Sequence, residues 1–173
     1  MSKYTKSFSI IHWVHALIIA MVLVGGVVSL PELPASGEQL APFKNHMIMG
    51  FVVFVVLIIR VVLLKKQPTL LPLKVSAFRE KLIKLNHRLL YIFIAFSAIS
   101  GMATAKSANI GQVLIFGKEP SVYSGAGGIT ATLGQIHTAS AYILAALIVM
   151  HIAGVVSYIL KGNRDIMQRV SLK

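Results

Sequence analysis

The sequence has no cysteine, so thiolate metal sites, iron–sulfur clusters and disulfides are excluded and six histidines are the main candidate ligands. Two of them bracket one apolar stretch, "HTASAYILAALIVMH", which runs from His137 to His151. At 3.6 residues per turn, fourteen residues fall about 40° short of four full turns. Both rings therefore leave one helix face, roughly 21 Å apart along the axis. His12 and His46 each stand at the start of another apolar run. Ionisable rings buried in an apolar helix are costly and mark functional sites. A neutral imidazole can fill an axial position of haem iron, or ligate zinc or copper. Which chemistry applies depends on the rings that share a depth.

The apolar runs set the depths. The 173 residues are 56% hydrophobic and only 13% charged, too apolar for an ordinary soluble domain. About 20 apolar residues cross a bilayer as a helix. Four spans are predicted, over 10–30, 46–64, 85–104 and 133–160, in one domain covering 1–173. The expected fold is an all-α integral membrane protein, an up-down four-transmembrane-helix bundle. The last span exceeds what a crossing needs, so it tilts or projects. The first run follows Lys3 and Lys6 and precedes "LPASG", as a signal peptide would. Its length and its two histidines favour a retained span.

The net charge of +12 is unevenly placed. Fourteen of the seventeen basic residues precede the first span, surround the second connection (Arg60 to Arg88) or follow the fourth span (Lys161, Arg164, Arg169, Lys173). Only Lys44, Lys106 and Lys118 fall on the other side. The positive-inside rule then predicts both termini in the cytoplasm, with membrane lipid and not nucleic acid as the surroundings of the basic residues.

This topology sorts the histidines into two levels: His46 with His137 towards the outer face, and His12 with His151 towards the inner. Two stacked imidazole pairs in a bundle suit two six-coordinate haems b, which need no cysteine thioether. Zinc or copper is the competing set, but two ligands per level leave such a metal undercoordinated, and no carboxylate lies in the spans. The fourteen-residue rule extends to other helices. His12 plus fourteen is Gly26, a residue without a side chain at the outer level. Gly50, Gly134 and Gly154 also lie near the expected rings, where they either admit a flat macrocycle or mediate helix packing. His46 plus fourteen is Arg60, which either pairs with a haem propionate through its planar fork or snorkels to the interface. His15 is a second candidate to His12, or else a hydrogen-bonding or lipid-facing residue. His87 is a further inner candidate, for quinone, propionate or iron. Trp13 reads as an interfacial anchor.

These residues resemble the bacterial cytochrome b561 family over nearly the whole chain. The resemblance is carried by "SIIHW", by "NHMIMG" followed by Arg60, by "NHRLLY" and by "QIHTASAYILAALIVMH", with "FGKEP" and "NRD" in support. It implies a four-helix membrane cytochrome with two haems b ligated by His12, His46, His137 and His151. Two departures concern the inner quinone region. Asn86 stands where relatives often have glycine, and "GVVSYIL" after His151 lacks further histidines.

The sequence carries no nucleophile–base pair, phosphate loop or paired carboxylates, so the cofactor supplies the chemistry. Similar proteins include superoxide:ubiquinone oxidoreductases. That implies superoxide as outer donor, ubiquinone as acceptor, and Lys44 and Lys106 as cations that attract the anion. The alternative is a cytochrome subunit that links an extracytoplasmic redox enzyme to the quinone pool. A metal transporter is a third, less suited class.

Overall fold

A computed structural model describes residues 3–30, 32–70, 72–163 and 165–172. Arg164 and Lys173, used above for orientation, lie outside them. The described residues form helices and no strand. Four helices are long and apolar enough to cross a membrane: α1 (Lys6–Val24), extended by a π-helical turn at Gly25–Ser29, α2 (Ala41–Leu64), α3 (Ala77–Ser107) and α5 (Gly128–Leu160). Short α4 (Ile110–Leu114) lies between α3 and α5, and α6 (Asp165–Arg169) follows α5.

The helices outrun the apolar spans because capping, not hydropathy, sets their ends. The Thr5 hydroxyl accepts from the Phe8 N–H and starts α1 at Lys6. Ser76 likewise accepts from the Arg79 N–H, so α3 begins eight residues before the apolar run expected at 85. Its charged first turns are good helix formers that hydropathy alone does not reveal. At the other end of α5, Gly162 takes φ +85, its N–H reaches the Ile159 carbonyl and the Asn163 N–H reaches Tyr158. This is a Schellman stop.

The four long helices alternate in direction. Ile19, Val53, Ile94 and Leu144, one from each, form a single buried cluster with Leu57. Each of the four lies midway between two positions fourteen apart: 12 and 26, 46 and 60, 87 and 101, 137 and 151. Seven residues return to nearly the same helix face about 10 Å away. The bundle therefore has an apolar middle layer and, on either side of it, two levels built from equivalent positions. Large apolar side chains such as Leu17, Ile58, Ile92 and Val149 point outward, as lipid contact requires.

At one end, the Tyr4 N–H donates to the Arg169 carbonyl at 3.0 Å, so the two termini of the described chain meet. Trp13 is not solely an exposed anchor, since its indole N–H donates to the Val170 carbonyl at 3.0 Å. At the opposite end the connections form a cap, with Leu40, Ala108, Ile110 and Tyr123 buried together. The Tyr123 hydroxyl donates to the Pro34 carbonyl at 2.7 Å.

Candidate haem-binding levels

The level next to the cap contains Gly26, His46, Gly101 and His137, one residue from each long helix. The two imidazoles face each other edge to face, with ring centres 6.1 Å apart. Each ring is seated against a glycine of a neighbouring helix. A Cβ on Gly26 would meet His46 Cε1 at 2.7 Å, and a Cβ on Gly101 would meet His137 Cε1 at 2.9 Å. Gly50 has nothing within 4 Å of its would-be Cβ, and Gly134 has only ordinary contacts with Thr104 and Leu33. All four residues of this level line a cavity of about 1230 Å³, together with Gly50 and Gly134. Lys106 also lines it, whereas Lys44 is exposed on the first turn of α2 and does not.

His137 has a defined tautomer. Its Nδ1 lies 3.0 Å from the Ser97 carbonyl and 3.3 Å from the Ser100 hydroxyl. A carbonyl only accepts, so Nδ1 carries the proton and Nε2 keeps its lone pair. That is the state a metal-ligating histidine requires.

Haem can be tested against this level by the chemistry of its lining. A haem b would need imidazole nitrogens with free lone pairs beside an apolar space, and here two imidazoles, His137 with its Nε2 lone pair free, border one largely apolar cavity. The cavity exceeds the several hundred Å³ usual for small-ligand sites and is mostly apolar, with a few polar groups at its rim. Haem fits.

The other level contains His12, Arg60, His87 and His151, again one residue per helix and without a glycine. The structure brings His151 against His87, ring centres 5.0 Å apart, and brings His12 against Arg60. The Arg60 guanidinium donates to His12 Nδ1 at 2.6 Å and lies over the rings of Phe8 and Tyr91, at 5.7 and 5.3 Å. Its Nε is buried without a partner. Arg60 thus turns into the bundle and does not snorkel away from it. A cation in this position is complementary to a carboxylate such as a haem propionate. His87 Nδ1 donates to the Ile83 carbonyl at 2.8 Å, which leaves Nε2 free.

His15 stands apart from both levels. It is fully buried, and its Nε2–H donates to the Val53 carbonyl at 3.1 Å. The lipid-facing expectation is therefore wrong, and the hydrogen-bonding one describes it. Gly154 lies on α5 with open space at its would-be Cβ, and its carbonyl accepts from Arg79 at 3.3 Å.

Gly101 was not singled out from the sequence, although the same rule would have found it: His87 plus fourteen is Gly101. The serines of α3 carried no such signal, because the acceptor at His137 is mainly a backbone carbonyl.

No curated protein and no solved structure matches the chain. The family model described as prokaryotic cytochrome b561 matches residues 3–170, nearly the full length. With four helices long and apolar enough to cross a membrane and a family match over nearly its full length, the chain belongs to the prokaryotic cytochrome b561 family, membrane proteins that carry electrons on haem b.

Proposed function

We infer that the chain holds two haems b, one at each level, and moves electrons across the bilayer from superoxide at the outer face to ubiquinone in the membrane. The observation that carries this reading is the repetition of one four-helix layer on both sides of the Ile19, Val53, Ile94 and Leu144 cluster, with histidines in each. His46 and His137 are the outer axial ligands, and His12 and His151 the inner ones. A bound haem supplies a reversible one-electron carrier. The protein supplies seats for the rings, an apolar spacer and a cation near the inner level.

For His12 to ligate through Nε2, its Nδ1 must carry the proton. Arg60 can only donate, so it must leave that nitrogen, and a propionate is the stronger partner for a guanidinium. His87 is then a third inner imidazole, placed beside His151 to contact quinone. Both termini face the cytoplasm, the side to which most basic residues fall.

In the overall exchange two superoxide ions each lose one electron and become dioxygen. One ubiquinone gains those two electrons and two protons and becomes ubiquinol. Of the two outer lysines, Lys106 is better placed to draw an anion towards His46 and His137, because it lines their cavity. The test is anaerobic stopped-flow reduction of the purified, haem-loaded protein by superoxide, followed by addition of quinone. Fast reduction that slows with salt and in Lys106→Glu, then reoxidation by quinone, is the expected result.

A second reading has one observation in its favour. Ile115 and Phe116, at the outer end, are 54% and 69% exposed. An apolar patch there suits docking of an extracytoplasmic redox protein as the electron donor. Slow superoxide reduction, insensitive to salt and to Lys106, would favour it.

A further inference from the structure

The segment "SAISG", Ser97 to Gly101 of α3, surrounds the Nδ1 side of His137 with an unusual set of contacts. In a regular helix the carbonyl of residue 97 is covered by the turn that carries residue 101 and accepts from its N–H. Here residue 101 is glycine. A Cβ at that position would stand 2.9 Å from His137 Cε1 and 3.2 Å from Nδ1, so the ring would have to shift away from it. The missing side chain is what lets an imidazole from α5 reach a carbonyl that already serves its own helix.

The hydroxyls around this contact have assigned directions. Ser140 donates to the His137 carbonyl at 2.7 Å, so in the 2.9 Å contact between Ser97 and Ser140 the Ser97 hydroxyl is the donor. Ser100 donates to the Ser97 carbonyl at 3.1 Å and stands 3.3 Å from His137 Nδ1. All three serines are buried. Each hydroxyl proton is committed, so none is donated to His137 Nδ1. His137 is left with one arrangement: Nδ1–H towards α3, Nε2 with a free lone pair.

We propose that Ser100 and Gly101 are positioning residues for the outer haem, forming with the Ser97 carbonyl a socket that fixes the tautomer, plane and donor strength of His137 and so sets the reduction potential of that haem. This rests on the reading of His137 as an axial ligand. A hydrogen bond from Nδ1–H makes the imidazole a stronger donor, which favours the oxidised iron and lowers the potential. His46 is seated against Gly26, but among the described residues no carbonyl accepts from its ring, so the socket is specific to one of the two outer ligands.

The test uses the full chain loaded with haem, and reads the midpoint potentials of both haems and the EPR g values of their low-spin signals. Gly101→Ala pushes the ring off the carbonyl, so one midpoint rises and one EPR signal moves, while the other haem is unchanged. Ser100→Ala shifts the midpoint of that same haem, and Ser100→Thr, which restores the hydroxyl, returns it. Should Gly101→Ala fail to assemble, the Ser100 pair decides. Midpoints and g values identical to the unaltered protein in the variants that assemble would overturn the proposal. His137→Ala separates this from failure of the underlying reading. If it retains both haems, His137 is not a ligand. If it loses one while the Gly101 and Ser100 variants are silent, only the socket is refuted.

Discussion

Substitution of Gly26 by alanine isolates the role of the missing side chains. Carbon atoms in contact rest at about 3.5–4.0 Å. The added methyl group would meet His46 Cε1 at 2.7 Å, so the ring must retreat by roughly 1 Å. In the protein without haem the ring is the free end of a side chain and swings aside at little cost. With haem bound, the ring is held on one side by the iron and squeezed on the other by the methyl group. The penalty therefore falls on haem affinity more than on folding. Overpacking of this kind costs about 1–3 kcal/mol, or roughly a 5- to 150-fold weaker outer haem. The assay is haem titration of the purified protein, read at the reduced α-band, beside thermal unfolding of the haem-free form. Gly25→Ala is the matched control, because nothing lies within 4 Å of the would-be Cβ at the adjacent position. Equal loss of haem in both variants, or none in Gly26→Ala, would refute the seat as argued.

Other expectations concern single groups. Replacing His12 by alanine removes one haem and leaves one, whereas replacing His87 by alanine keeps both and slows quinone reduction; the reverse, measured as haem per protein, makes His87 the inner ligand with His151. Arg60→Leu lowers the midpoint of the inner haem alone, since a nearby cation stabilises the reduced form, and redox titration reads it. Burial raises the Tyr123 phenol above the ordinary tyrosine range. The sign follows: the folded cap binds that proton more tightly than the unfolded chain, so its contribution is intact below about pH 10 and is lost as pH rises through the higher folded value. Phenolate absorbance during alkaline titration checks this, with Tyr123→Phe removing the late step and about 1 kcal/mol of stability.

Much of the site was readable because a helix in a membrane is nearly one-dimensional. Depth and face follow from residue number once the ends are known, which is why Gly26 stands against His46 and Arg60 against His12. Rotation between helices does not follow from residue number. The sequence could not say that His15, one turn from His12, buries against the Val53 carbonyl, or that His87 stands beside His151 and Arg60 beside His12. Nor could it expose a backbone acceptor. The Ser97 carbonyl is written in no residue type, only in the absence of a side chain four positions later. The helix ends were missed for another reason. Hydropathy marks where lipid is, while Ser76 and Thr5 mark where the backbone starts to turn.

One layer pattern, used twice, has opposite consequences on its two sides. At the outer level two of the four equivalent positions are glycine, and the room they leave is continuous with a large apolar cavity. At the inner level the same four positions hold three imidazoles and a guanidinium without a carboxylate. The outer site is thus defined by volume and the inner one by charge and donors. Substitutions should sort accordingly. Adding a methyl group at Gly26 or Gly101 must disturb the outer haem and spare the inner, while removing charge at Arg60 must shift the inner midpoint and leave the outer cavity intact. If the two classes of substitution acted on the same haem, the separation of levels by the Ile19, Val53, Ile94 and Leu144 layer would not be the organising feature of the bundle. Difference spectra of the three single variants, titrated through both midpoints, make that comparison directly.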